Sequence, residues 1–143
     1  METGTTEPRL STYLHARACR NGTPLVGNFE LTARCNFNCK MCYVHLTAEE
    51  QQRRGRELTA DQWLAIAEQA RSRGMLFLLL TGGEPLIRKD FRYLLTELKK
   101  MGLLVSVNSN GSLIDRDWLD FFRHEPPFRF NITLYGGSEE TYE

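Results

Sequence analysis

Residues 75–80 form a continuous apolar run that ends in Thr81-Gly82-Gly83-Glu84-Pro85. A short apolar run bounded by turn residues has the pattern of a parallel strand covered on both faces. The segments around it alternate between helical and strand periodicity. Before it, Thr59 with Gln62 three residues on is a capping-box signature, Trp63, Ile66, Ala67 and Ala70 recur at helical spacing, and Gly74 is placed as a stop. After it, Phe91, Leu94, Leu95, Leu98 and Met101 form a second helical stripe ending at Gly102. Residues 103–108 then predict a third strand, 117–123 a short helix stopped by Pro126-Pro127, and 128–135 a strictly alternating fourth strand. Ser138 is positioned to cap a further helix. Upstream, residues 26–34 alternate Phe29, Leu31 and Ala33 with Glu30, Thr32 and Arg34, which predicts the first strand. Strands alternating with helices make this an α/β chain with a parallel sheet.

In such a sheet, ligands bind beyond the C-terminal ends of the strands. Each expected strand ends on a motif. Cys35, Cys39 and Cys42 follow the first, Gly82-Gly83-Glu84-Pro85 the second, Ser109-Asn110-Gly111 the third, and Thr133 and Tyr135 lie near the end of the fourth. Four motifs therefore converge on one face.

The cysteines are spaced C-x3-C-x2-C, so one loop can carry three thiolates to three corners of an iron–sulfur cluster. A cubane takes four protein ligands when it only transfers electrons, and three leave one iron open for chemistry. The rival on spacing alone is a closed structural zinc site made by the three cysteines and His45. The Gly-Gly-Glu-Pro turn 40 residues after Cys42 favours the cluster. In that turn Gly82 and Gly83 let backbone approach closely, Glu84 offers a carboxylate suited to an ammonium, and Pro85 fixes the chain direction. Asn110-Gly111 also reads as an ordinary turn signal. Arg34 and Lys40 flank the cysteines, where positive charge favours thiolate, although surface charges explain them equally well. Cys19, alone, reads as a buried small hydrophobe.

The chain has 143 residues, enough for one domain with a modest core. Eighteen basic and eighteen acidic residues cancel, which gives no reason to expect nucleic acid or an anionic membrane as partner. The longest apolar run is far shorter than the roughly 20 residues of a membrane span, and clustered cysteines suit a reducing compartment, so a cytoplasmic location is expected. Residues 1–25 read as a helical arm, with Leu10, Tyr13, Leu14 and Arg17 at helical spacing before Asn21-Gly22-Thr23-Pro24, and should pack on the rest. Residues 49–57 are charged and read as a solvated helix or connector.

Residues 30–43, which carry the cysteines, together with Gly82-Gly83-Glu84-Pro85 resemble the radical S-adenosylmethionine (radical SAM) superfamily. Ser109-Asn110-Gly111 is similar to the family's Thr-Asn-Gly strand end, with Ser for Thr. Residues 131–142 are similar to the fourth-strand region of members that carry a SPASM extension and modify peptides or proteins. The resemblance implies a partial (βα) barrel, of which this chain supplies about four strands, residues 26–143 forming an N-terminal part of the core. It implies a 4Fe-4S cluster on Cys35, Cys39 and Cys42 whose fourth iron chelates S-adenosylmethionine. It further implies contacts to that cofactor from Gly82, Gly83, Glu84, Pro85, Met41 and Thr133, with Met41 where many members have an aromatic residue. Reduction by a flavodoxin or ferredoxin, radical cleavage of the cofactor and a peptide or protein substrate follow from the same resemblance. A non-catalytic metal-binding module is the alternative.

Overall fold

The computed structural model describes residues 10–44, 46, 48–134 and 136–138. The elements in chain order are α1 (Leu10–Asn21), β1 (Val26–Glu30), α2 (Ala48–Arg54), α3 (Ala60–Ser72) and β2 (Phe77–Thr81). A short 3-10 turn (Pro85–Ile87), α4 (Phe91–Lys100), β3 (Leu104–Ser109), α5 (Arg116–His124) and β4 (Arg129–Ile132) complete them. The four strands form one parallel sheet in the order β1-β2-β3-β4. This is the expected α/β architecture. The capping box is present, the Gln62 amide donating to the Thr59 hydroxyl and the Gln62 side chain accepting from the Thr59 N–H at 2.9 Å.

Alternation along the strands sorts the sheet into two faces. On one, Phe29, Leu31, Leu78, Leu80, Val105 and Val107 are buried against Ala67 of α3 and Phe91, Leu94, Leu95 and Leu98 of α4. Each leucine there contributes about 1.5–3 kcal/mol relative to exposure, so this layer supplies most of the hydrophobic stabilisation. α5 is held over the outer strand by aromatic contacts. Trp118 meets Phe91 edge-on at 5.8 Å, and Phe122 meets Phe130 at 5.0 Å.

The opposite face is only half covered among the described residues, which corrects the expectation that β2 is buried on both sides: Phe77, Leu79 and Thr81 remain partly accessible. The helices α3, α4 and α5 pack on the first face, so among the described residues the second is incompletely covered. That open face is graded along the strands. Phe77 and Phe128 rings lie 6.2 Å apart toward the N-terminal ends, while Glu30 pairs with Thr81, and Asn108 with Asn131, at the C-terminal ends.

Several boundaries differ from the sequence reading. β1 ends at Glu30, not 34, and β4 spans Arg129–Ile132, not 128–135, with Tyr135 outside the described residues. The helix expected after Ser138 also lies outside them. α1 forms, yet Ala18 is its one buried described residue and Leu10 is 71% exposed, so the stripe expected to pack does not. Cys19 is exposed, not buried. Apart from Ala18, the residues around it on α1 (His15, Ala16 and Arg20) are exposed, and a helix with one buried position offers no interior to a cysteine beside it. Among the described residues no helix is long and apolar enough to cross a membrane.

Candidate functional site

Beyond Glu30 the chain leaves the ladder but stays bonded to the segment leaving β2. Leu31 N–H donates to Thr81 O at 2.9 Å, Gly83 N–H to Thr32 O at 2.7 Å, and Glu84 N–H to Arg34 O at 2.9 Å. The Gly-Gly-Glu-Pro turn is therefore zipped to the residues that immediately precede Cys35. Gly82 has φ +132°, a conformation that other residues rarely adopt. A Cβ on Gly82 would strike Thr32 O, and one on Gly83 would lie 2.7 Å from the Arg34 carbonyl carbon. The backbone that these glycines approach is that of the cysteine-bearing segment.

Glu84 is fully buried. Its carboxylate accepts from Leu86 N–H at 3.0 Å, from the Ser109 hydroxyl at 3.0 and 3.1 Å, and from Asn110 N–H at 2.8 Å. Both carboxylate oxygens accept bonds from the protein, and the side chain does not open onto the cavity described next. Glu84 joins the turn after β2 to the turn after β3. Pro85 is likewise buried beneath it, outside the cavity described next.

At the C-terminal edge of the open face lies a cavity of about 240 Å³. All three cysteines line it, together with Met41, Gly82, Gly83, Asn108, Asn110 and Thr133. The structure thus brings together seven of the nine site residues expected from sequence, with Glu84 and Pro85 behind the wall. Cys35 and Cys39 are half-buried, Cys42 is exposed, and all are free thiols. Among the described residues no three His, Cys, Asp or Glu side chains converge tightly enough to hold one metal ion; His45, the fourth ligand of the zinc alternative, lies outside them. Three sulfurs spread around one cavity suit a cluster whose iron corners are separate, and donors are aimed at one of them. Phe37 N–H lies 3.4 Å, and the Asn110 carboxamide nitrogen 3.8 Å, from Cys35 Sγ. The residues present fit an anionic cluster ligated by thiolates.

A larger cavity, about 620 Å³, lies on the other side of the cysteine loop, between Glu30, Arg34, Gln51 and Arg54, and shares only Tyr43 and Val44 with the first. It contains no cysteine, so size does not identify the site here.

Sequence reasoning missed a polar clasp at the root of the loop. Arg88, 6% exposed, donates to Leu31 O at 2.8 Å and Leu58 O at 3.0 Å and forms a two-pronged bond to Asp90 at 2.9 and 2.7 Å. Glu57 accepts from the Thr32 hydroxyl and from Arg34 at 3.0 and 2.9 Å. The alternating Arg88 and Asp90 just after an apolar turn were the available signal. Burial pushes the Glu57 carboxyl up, but bonds from Arg34 and Thr32 and the charges of Arg34 and Arg88 outweigh it, leaving a net lowering. The Arg88 bond holds Asp90 low as well. A carboxyl depressed in the folded state stabilises above its unfolded value and stops doing so as pH falls through the folded one. The clasp should therefore hold down to the ordinary carboxylate range of about 4 and loosen below it. Urea midpoints measured from pH 7 to pH 3 should fall more steeply for the native chain than for Glu57→Gln; equal slopes would remove the clasp from the acid response.

The pattern described as the Radical SAM superfamily matches residues 29–143. The chain is 31% identical over 108 residues to the probable GTP 3',8-cyclase of Pyrobaculum aerophilum, covering 76% of this chain and 34% of that protein. It is 33% identical over 91 residues to the PqqA peptide cyclase of Granulibacter bethesdensis, covering 64% and 24%. The chain thus spans about a third and a quarter of the length of these curated relatives. Among solved structures, Streptococcus suis SuiB bound to S-adenosylmethionine superposes with a TM-score of 0.71 at 19% identity, covering 92% of this chain and 31% of that one. SuiB bound to precursor peptide SuiA gives 0.70 at 19% identity, covering 99% and 34%. With a match that takes in the loops after all four strands, the chain belongs to the radical SAM superfamily.

Proposed function

We propose that this chain holds a 4Fe-4S cluster on Cys35, Cys39 and Cys42 and binds S-adenosylmethionine against it, as part of an enzyme that modifies a peptide or protein. The observation that carries this reading is the single cavity onto which the three cysteines, the Gly82-Gly83 turn, Asn108 and Thr133 all open. When bound, the reduced cluster would supply one electron to the sulfonium of S-adenosylmethionine, breaking its bond to the 5' carbon to give methionine and a 5'-deoxyadenosyl radical that takes hydrogen from substrate. The protein's share is placement. Hydrogen bonds from the turn after β2 fix the residues before Cys35, and hence the direction from which the first thiolate enters. With Glu84 committed internally, the backbone of Gly82 and Gly83 is the part of that turn left to receive the ammonium of an amino acid. Met41 and Thr133 line the same space, suited respectively to a ring face and to hydroxyl groups.

The peptide substrate is favoured by the PqqA peptide cyclase and by the SuiB complex with its precursor peptide. The GTP cyclase likeness supports a second reading, with a nucleotide as substrate. An external one-electron donor of the flavodoxin or ferredoxin type and a cytoplasmic, reducing setting belong to this proposal. The test is anaerobic reconstitution with iron and sulfide, reduction by dithionite, and an assay for 5'-deoxyadenosine from S-adenosylmethionine. A brown protein that makes 5'-deoxyadenosine, with the product lost in Cys39→Ala, is the expected result. A colourless protein with tightly bound zinc would overturn it in favour of a non-catalytic metal-binding module.

A further inference from the structure

We infer that Asn110 is a positioning residue for the Cys35 thiolate, setting the reduction potential of the cluster through an N–H···S hydrogen bond. The inference rests on the proposed cluster ligation by the cysteines. Its starting point is a closed ring of hydrogen bonds beside Cys35. The Asn110 amide nitrogen donates to Asn36 Oδ1 at 2.9 Å, Asn36 Nδ2 to Ser112 Oγ at 2.8 Å, and Ser112 Oγ to Asn110 Oδ1 at 2.7 Å.

A carboxamide has an acceptor oxygen at one end and a donor NH2 at the other, so its orientation is fixed by what its partners can give or accept. Here one partner decides it. Ser112 backbone N–H, which can only donate, lies 2.9 Å from Asn110 Oδ1. The oxygen is therefore pinned toward Ser112, and the NH2 end is turned toward Asn36 and, at 3.8 Å, toward Cys35 Sγ. The backbone is fixed as well, because Asn110 N–H is held by buried Glu84 at 2.8 Å and Gly111 N–H by Ser109 Oγ at 3.0 Å. A side chain held by both ends, with its donor facing the sulfur, is more than a turn residue requires.

The consequence is electrostatic. A reduced cluster carries one more electron, spread in part onto its sulfurs, and a donor aimed at a ligating sulfur stabilises that more negative state. Phe37 N–H supplies a second donor to the same atom at 3.4 Å, and being backbone it survives any side-chain change. Asn110 is the part of this arrangement that mutation can remove.

The test is a spectroelectrochemical titration of the reconstituted protein against Asn110→Leu and Asn110→Asp. Leucine removes the donor without adding charge. Aspartate keeps an acceptor for Ser112 but turns a negative oxygen toward Cys35. Reduction should become harder in the order wild type, leucine, aspartate. The leucine change should be up to about tenfold in the reduction equilibrium, or about 59 mV for one electron. A purely structural role would lower iron content without ordering the potentials by charge. Unchanged potential in either variant at wild-type iron content overturns the inference. If neither variant loads iron, pulsed EPR of reduced wild-type protein labelled with side-chain 15N-asparagine decides: a nitrogen coupling to the cluster supports the bond, and its absence refutes it. A wild-type protein that takes up no iron overturns the ligation itself, and its lack of colour reveals this before any variant is compared.

Discussion

Gly83→Ala should abolish iron–sulfur loading while leaving the sheet folded. The new methyl carbon would sit 2.7 Å from the Arg34 carbonyl carbon, closer still to its oxygen, and 3.0 Å from Ala33 O. These are backbone atoms, which cannot step aside as the end of a flexible side chain can. The turn and the segment 32–34 must separate, and with them go the bonds Gly83 N–H to Thr32 O and Glu84 N–H to Arg34 O. Overpacking of this kind costs about 1–3 kcal/mol, tolerable for a sheet whose apolar layer lies on the opposite face. The displacement is passed directly to Cys35, the next residue after Arg34. Three thiolates on one loop must reach three corners of a rigid cluster, so moving the first by about an ångström breaks the set. Iron content after reconstitution should fall below roughly a tenth of wild type, an all-or-none outcome of losing one corner, with the far-ultraviolet circular dichroism unchanged. Wild-type iron content would show that the loop is placed independently of the turn.

The sequence carried the order of strands and helices because each element announces itself locally. The capping box at Thr59 and the apolar stripe from Phe91 to Leu98 require no tertiary knowledge, and both appear as expected. Boundaries near the site did not follow the pattern. Residues 31–34 keep strand-like alternation and even strand-like bonds to the neighbouring segment, yet leave the ladder, since the turn they pair with is itself no longer extended. The cavity was legible for the same reason as the topology, because parallel strands deliver all their outgoing loops to one edge. What sequence could not assign was partnership among polar residues. Glu84, Ser109, Asn110, Asn36 and Ser112 are spread over 77 positions, counting from 36 to 112, and only the packing of adjacent strand ends brings them into one network. Glu84 reads from the sequence as a partner for an ammonium, and only the fold shows that Leu86 N–H, Ser109 Oγ and Asn110 N–H from its own chain also reach its carboxylate.

Glu84→Ala is the variant that separates those two roles, and it should cost about 3–5 kcal/mol in the protein without any cofactor. The carboxylate is fully buried and serves Leu86 N–H, Ser109 Oγ and Asn110 N–H at once. A bond to a charged group contributes about 1.5–3 kcal/mol, and a buried donor left without an acceptor costs about 1–3 kcal/mol. Two backbone donors would be left this way, and a cavity would open where the side chain was. Glu84→Gln should be milder, about 2 kcal/mol. One amide oxygen remains, but the NH2 end must then face either Leu86 N–H or Asn110 N–H, donor against donor. Were the carboxylate chiefly a ligand for the cofactor's ammonium, both variants would weaken S-adenosylmethionine binding and leave urea unfolding of the apoprotein untouched. As a brace between two strand ends, it must register in that unfolding curve before any iron or cofactor is added. The turn after β3 should loosen with it, so amide hydrogen exchange at Asn110 and Gly111 should quicken in Glu84→Gln while exchange in α3 stays as it was. Unaltered exchange at those two amides, with an unaltered urea midpoint, would return Glu84 to the cavity as a ligand.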